Sequence, residues 1–209
     1  MKQAVIFDLD GTLWDSTDQI TEAWNEVFAL QNEPQMSKEE VMALMGLPMD
    51  EIAKRVYPNA EDPDAALKKC TDHENEYLAE HGGHLFEGLE ETLKTLKKDY
   101  FLAIVSNCQS GYIEAFLKAH RFEKYFDDIL CYGDTNLYKD ENIRCLMEKN
   151  SIDEALYVGD IEGDYNSSVK AGIPFIFARY GFGQVQCPDA VDSLSELPAM
   201  VKQVFAKKD

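Results

Sequence analysis

Positive charge is scarce in this sequence. Twenty Lys and Arg stand against 39 Asp and Glu in 209 residues, for a formal net charge of −19. No basic stripe is present to displace counterions from a phosphate backbone, so nucleic acids are excluded as partners. The same field argues against docking on an anionic membrane. An anionic substrate would need a bound cation or a few local lysines to overcome it. Long apolar runs are also missing, since none approaches the ~18–20 residues that span a bilayer. The start, Met1-Lys2-Gln3, leads into an apolar run carrying Asp8 and Asp10, unlike a secretory signal. The five cysteines are scattered and form no CxxC pair, which reads as free thiols in a reducing cytoplasm. Repeats and low-complexity segments are absent.

What is present is enough to build cores, with 45% hydrophobic and 11% aromatic residues. Ala4-Val5-Ile6-Phe7 is a short apolar run of the kind found in buried strands. Phe101 to Val105, Ile129 to Tyr132, Ala155 to Val158 and Ile173 to Ala178 read the same way. Helical spacing lies between them, at Leu89/Leu93/Leu96, Ile113/Phe116/Leu117 and Ile143/Leu146/Met147. Gly172 and Pro174 mark a helix end after Val169. This alternation predicts an α/β fold, a Rossmann-like parallel sheet in a three-layer α/β/α core. Ligands of such sheets sit at the carboxyl ends of the strands.

Residues 15–84 break the alternation. Ile20/Trp24/Val27/Phe28, Val41/Leu44/Met45, Ile52/Val56 and Leu67/Cys70/Tyr77/Leu78 predict four helices and no strand. Ser16-x-x-Gln19 and Ser37-x-x-Glu40 both match a capping box. The expected organisation is a core of residues 1–14 and 85–209 with an all-helical cap inserted at 15–84, returning through Gly82-Gly83.

Chemistry concentrates at the strand ends. In Asp8-Leu9-Asp10-Gly11-Thr12 the two aspartates point to one face, where they repel and require a cation or a shared proton. Mg²⁺ suits such a pair; the plain alternative is a polar turn with a capping Asp. Gly159-Asp160-Ile161-Glu162-Gly163-Asp164 brings more carboxylates to the same sheet edge, or merely caps the next helix. Ser106-Asn107 ends another strand and can hold phosphate oxygens, or serve only as a helix-entry turn. Lys139 is taken alone a surface lysine, and within the set a cation between nucleophile and phosphate.

That order of motifs resembles the haloacid dehalogenase superfamily over essentially the whole chain. The helical insertion, with Leu13-Trp14-Asp15-Ser16, is similar to the phosphoglycolate phosphatase and β-phosphoglucomutase branch. The resemblance implies that Asp8 is the nucleophile and that Asp10 is the general acid/base, its backbone carbonyl facing the metal. It implies Asp160 as a direct Mg²⁺ ligand supported by Asp164, and a phosphate cradle of Gly11, Ser106, Asn107 and Lys139. Asp10 points to phosphate esters, because the dehalogenase and phosphonate-cleaving branches lack a carboxylate there. The family pattern is departed from at Asp140-Glu141, where many relatives have Pro, and at Glu87-Gly88, where many have Pro-Gly. Asp140 reads as a helix N-cap. Gly46-Leu47-Pro48-Met49 lacks the arginine that sugar phosphomutases usually carry just after this glycine. The expectation is therefore a cytoplasmic, Mg²⁺-dependent phosphatase of a small phosphorylated metabolite, as a monomer or a homodimer. The rivals are a phosphomutase using the same aspartyl phosphate and a non-catalytic phosphate- or metal-binding module.

Other features have plainer expectations. His81-Gly82-Gly83-His84 reads as a hinge or surface loop and not a metal site. Trp24 reads as core packing, whereas Trp14 suits pocket and core equally. Tyr180-Gly181-Phe182-Gly183 reads as a cap contact or a turn. Lys54-Arg55 and Lys68-Lys69 read as solvated helix faces.

Overall fold

Five of the apolar runs become strands, and a sixth, shorter strand joins them. In the computed structural model, which describes residues 1–207, β1 (Gln3–Phe7), β4 (Phe101–Ser106), β5 (Asp128–Cys131), β6 (Glu154–Gly159), β7 (Phe175–Ala178) and β8 (Ala190–Val191) form one sheet. Its order is β5-β4-β1-β6-β7-β8, and every pairing is parallel. β1 lies in the middle, with β4 on one side and β6 on the other. Chain order reverses direction there, which opens a crevice at the carboxyl ends of these three strands.

The strand residues are buried on both faces, as continuous apolar runs require. Val5, Phe7, Leu102, Ile104, Leu156 and Val158 enter one core; Ala4, Ile6, Ala103, Val105, Ala155 and Tyr157 enter the other. The first core is closed by α5 (Leu89–Leu96), α6 (Tyr112–His120) and α10 (Leu197–Ala206). The second is closed by α8 (Lys139–Lys149), with α9 (Glu162–Ala171) beside it. A one-turn helix, α7 (Tyr132–Thr135), follows β5.

Two strand boundaries differ from the sequence expectation. Tyr132 leaves the edge strand β5 to begin α7. Ile173 and Pro174 precede β7, because Gly172 turns left-handed (φ 79°) and the Ile173 N–H donates to the Ser168 carbonyl, closing α9.

Between β1 and β4 the chain forms α1 (Thr17–Gln31), α2 (Lys38–Met42), α3 (Met49–Val56) and α4 (Pro63–His81). A two-residue antiparallel ribbon, β2 (Trp14–Asp15) with β3 (His84–Leu85), carries the chain out and back. α2 is shorter than Val41/Leu44/Met45 suggested. Past Met42 the backbone continues in single turns and stops at Gly46, whose φ is 76°.

The two capping-box signals had different fates. Ser37 and Glu40 form the reciprocal capping box. Ser16 forms no cap bond; Asp15 accepts the Thr17 N–H instead, which frees Ser16 for another partner. Asp140 is not an N-cap either. It lies inside the first turn of α8 and accepts from Arg144 at 2.6 Å. On α4 the buried stripe runs through Leu67, Cys70, Glu74 and Leu78, while Tyr77 sits off it and donates to Glu22. His81 stacks on Tyr77 and the exposed His84 opens β3, so the His-Gly-Gly-His turn brings no metal ligands together. The five cysteines are free thiols. Among the described residues, no helix is long and apolar enough to cross a membrane.

Candidate active site

Asp8 follows the last residue of β1 and is 2% exposed. Lys139, the first residue of α8, reaches it from 131 residues away, its Nζ donating to Asp8 Oδ1 at 2.8 Å. The same ammonium donates to Asp164 Oδ1 at 2.5 Å. Lys139 is itself buried, so it is not a surface lysine. Burial alone would lower its pKa, but the Asp164 and Asp8 carboxylates outweigh this and hold it above the ordinary lysine value.

Asp160 and Asp164 follow β6 and are both fully buried. Asp164 serves the fold and the site at once. Its Oδ2 accepts from the backbone N–H groups of Asp160 and Ile161, while its Oδ1 holds Lys139. One oxygen each of Asp8, Asp160 and Asp164 lies within 4.8 Å of the others. Three carboxylates face one ammonium, so negative charge is in excess. Desolvation, then Asp164, push Asp8 up to about 7 and Asp160 up to about 8. A buried, all-oxygen, over-negative set of this kind fits a hard divalent cation such as Mg²⁺.

Asp10 is held differently. Its Oδ1 accepts from Trp14 Nε1 at 2.9 Å, Ser16 Oγ at 2.7 Å and the Tyr112 hydroxyl at 2.7 Å. Burial raises its pKa, and the three donors oppose that rise without cancelling it. Trp14 is thus neither plain core nor pocket wall. It is fully buried against Tyr112, Phe116 and His120, and it donates to Asp10.

Asp8 and Asp10 line one cavity of about 40 Å³, together with Ser106 and Asn107 from the end of β4. Asn107 Nδ2 donates to the Gly46 carbonyl at 3.1 Å, and its buried Oδ1 has no hydrogen-bond partner among the described residues. The helical insertion roofs the cavity with Ile20, Trp24, Leu44, Leu47 and Ile52. Further contacts seat the roof. Asn75 Nδ2 donates to the Ser110 carbonyl, and Gln109 donates to Asn75 Oδ1.

Gly11 takes a different place from the one expected. Its N–H donates to the Trp14 carbonyl and is not offered to a phosphate. Its φ is 76°, and a Cβ there would lie 2.1 Å from Asp160 Oδ2, so glycine is needed to let the two loops meet.

Residues 5–178 match the haloacid dehalogenase-like hydrolase family. The chain belongs to that family. A phosphoglycolate phosphatase of Vibrio parahaemolyticus is 31% identical over 94% of this chain and 95% of its own length. The solved structure of a predicted phosphatase from Clostridium acetobutylicum superposes with a TM-score of 0.80 at 25% identity, covering 97% of this chain and 99% of that one. CbbY from Rhodobacter sphaeroides, solved in complex with phosphate, shares the fold with a TM-score of 0.81 at 22% identity, covering 97% and 100%. This haloacid dehalogenase-like hydrolase thus falls in the phosphoglycolate phosphatase-like branch and is a phosphoric monoester hydrolase.

Several parts of the hydrolase site carry no local motif. Tyr112 and Ser16 act on Asp10 from outside the strand-end motifs. The Tyr180–Gly183 loop is a turn, closed by the Gly181 N–H on the Ala178 carbonyl, and it also reaches the site. Its Phe182 N–H donates to Asp160 Oδ2 at 2.7 Å, and the Tyr180 hydroxyl donates to the Thr12 carbonyl. A Cβ on Gly181 would lie 2.3 Å from both Asp160 Cβ and the Gly11 carbonyl oxygen. Glu74 is the remaining residue missed. It is 2% exposed, lines the cavity, and accepts from Trp24 Nε1 at 2.5 Å. Desolvation pushes it up to about 8. A charged residue in the apolar stripe of α4 was the available signal.

Proposed function

We propose that this hydrolase removes the phosphate of a small phosphorylated metabolite through an aspartyl-phosphate intermediate. The observation that carries the reading is the pairing of two carboxylates in one cavity. Asp8 is gripped by Lys139, and Asp10 is fixed through one oxygen by three donors.

In this reading Asp8 attacks phosphorus and the ester P–O bond breaks. Asp10 gives its proton to the departing alkoxide, then takes a proton from the water that releases phosphate from Asp8. The burial that raises Asp10 suits it to carry that proton. Ser106, Asn107 and Lys139 receive the phosphate oxygens. Asp8, Asp160 and the Asp10 carbonyl would hold Mg²⁺, with Asp164 in support. Bound there, the ion would supply positive charge against the phosphate dianion. Residues 1–14 and 85–209 form the catalytic core in this scheme. Residues 15–84 form a cap that excludes bulk water during turnover. A cavity of about 40 Å³ favours a small alcohol. Free thiols and the absence of a membrane-crossing helix among the described residues support a cytoplasmic setting.

The test is phosphate release from a panel of small phosphate monoesters and pyrophosphate, with Mg²⁺ and with EDTA, beside Asp8→Asn. Magnesium-dependent release that vanishes in the variant is expected. No release from any compound by folded wild-type protein overturns the reading.

A further inference from the structure

The chemistry of the cavity is divided between its two sides. The floor holds the phosphoryl-transfer groups. The roof is apolar with one exception, the carboxylate of Glu74. No Lys, Arg or His is among the described residues that line the cavity. Lys139 stands behind Asp8 with both its acidic partners engaged. A second anionic group on the substrate would therefore face Glu74 and hydrocarbon, with no cation to meet it.

The surface beside the cavity is also short of free positive charge. A surface cleft of about 460 Å³ shares Met49 and Gln109 with the cavity wall. Asp50, Asp64 and Asp72 line it against a single Lys68. Lys68 is taken up by Asp72, donating to its two oxygens at 2.6 and 2.8 Å. Asp50 Oδ2 accepts from Lys54 at 2.9 Å, and its buried Oδ1 has no hydrogen-bond partner among the described residues. Both lysines are thus taken up by Asp50 and Asp72, so this cleft presents an arriving anion with Asp64 and no lysine that lacks a carboxylate partner.

Glu74 is also held in place for recognition. Trp24 Nε1 occupies its Oε2, and Trp24 lies on the same apolar face of α1 as Ile20. The Gln109 side chain is a second donor to this carboxylate, and a carboxylate buried to this degree still gains from a further donor supplied by a ligand. Nothing in the phosphoryl-transfer scheme uses it.

We propose that Glu74 reads the alcohol half of the substrate. It selects small phosphate monoesters whose alcohol carries a hydrogen-bond donor, an ammonium or a hydroxyl, and it rejects those carrying a second anion. This rests on the phosphatase reading, and it separates this chain from a relative named for phosphoglycolate, whose alcohol half ends in a carboxylate.

Four esters of matched length test it: ethyl phosphate, 2-hydroxyethyl phosphate, 2-aminoethyl phosphate and 2-phosphoglycolate. With Mg²⁺ at pH 9, above the value of about 8 to which burial pushes Glu74 and so with its carboxylate ionised, kcat/KM is expected to be higher for the hydroxyl and amine esters than for ethyl phosphate. That for 2-phosphoglycolate should lie at least ~10-fold below the better of the two, the discrimination of one lost charge-assisted contact. Glu74→Gln keeps an acceptor for Trp24 and should shrink this gap. The loss should be larger for the amine ester than for the hydroxyl ester, because only the ammonium forfeits an ion pair while the hydroxyl keeps an amide oxygen as acceptor. A wild-type enzyme that prefers 2-phosphoglycolate overturns the proposal, whatever the variant does. So does an unchanged order in a Glu74→Gln variant whose melting shows it folded. Failure to hydrolyse any of the four, ethyl phosphate included, overturns the phosphatase reading beneath it.

Discussion

The Tyr112 hydroxyl lies 2.7 Å from Asp10 Oδ1, across 102 residues of sequence. Ser16 Oγ reaches the same oxygen, and the two hydroxyl oxygens are 2.8 Å apart. Asp10 is thereby held in one rotamer by α6 and by the start of α1, so the acid/base group and the helical insertion share a support. Tyr112→Phe removes one donor and keeps the ring packed on Trp14. A hydrogen bond to a charged group contributes about 1.5–3 kcal/mol. The expected outcome is a kcat lowered by roughly 10-fold or more with KM little changed. Steady-state kinetics on one ester decides it; an equal rise in KM with kcat intact would assign Tyr112 to substrate binding.

Among the described residues, Lys139 is the one cation that bridges Asp8 and Asp164. Lys139→Met leaves two buried carboxylates facing each other, and breaking a buried pair costs about 3–5 kcal/mol. For a chain of this size the melting temperature should fall by on the order of 10 °C. Millimolar Mg²⁺ should recover more of that loss in the variant than it adds to the wild type, since a divalent ion neutralises the same carboxylates. Thermal melts with Mg²⁺ and with EDTA check both parts.

Gly181 passes so close to Asp160 that a methyl group has no room. The obstacle is Asp160 Cβ and a backbone carbonyl, neither of which can swing away. Gly181→Ala should displace Asp160 and cost about 1–3 kcal/mol of stability. Mg²⁺ should then stabilise the variant less than the wild type at equal concentration, read as the metal-induced shift in melting temperature. An undiminished shift would mean that the loop does not position Asp160.

Glu74 gives a pH signature. Its ordinary value of 4.5 is pushed up to about 8 by burial. Between these values the folded chain keeps a proton that the unfolded chain has released. The contribution of Glu74 to stability is therefore full below pH 4.5, falls as pH rises, and reaches its minimum above pH 8. Glu74→Gln lacks this loss. Its free energy of unfolding, read from urea titrations, should gain on wild type from pH 5 to pH 8, by an amount on the order of a few kcal/mol. Asp8 and Asp160 titrate in the same window in both proteins, so the difference isolates Glu74. A constant difference across the range would mean that Glu74 is ionised throughout.

The strands and most helices were legible in the sequence, because burial on both faces of a parallel sheet demands the apolar runs that were read there. The chemical centre was legible for a related reason. Asp8, Asp10, Asp160 and Asp164 stand beyond those runs, where carboxylates are costly without a partner. The edges were less so. Tyr132 and Ile173 are apolar enough for a strand, and only the turn that follows or precedes each decides otherwise.

By itself the sequence determined the alternation of strand and helix, the place of the helical insertion and the acidic strand ends. Each follows from period, composition or a short motif, which are local properties of the chain. Only the tertiary structure decided which of the two capping-box signals became a cap, because Ser16 found Asp10 within reach and Ser37 had nothing better than its own helix. It alone put Tyr112 on Asp10, Gly181 against Asp160, and Glu74 in the roof of the cavity. These contacts join segments far apart in the chain, and their energies come from burial and charge that exist only once the layers have packed.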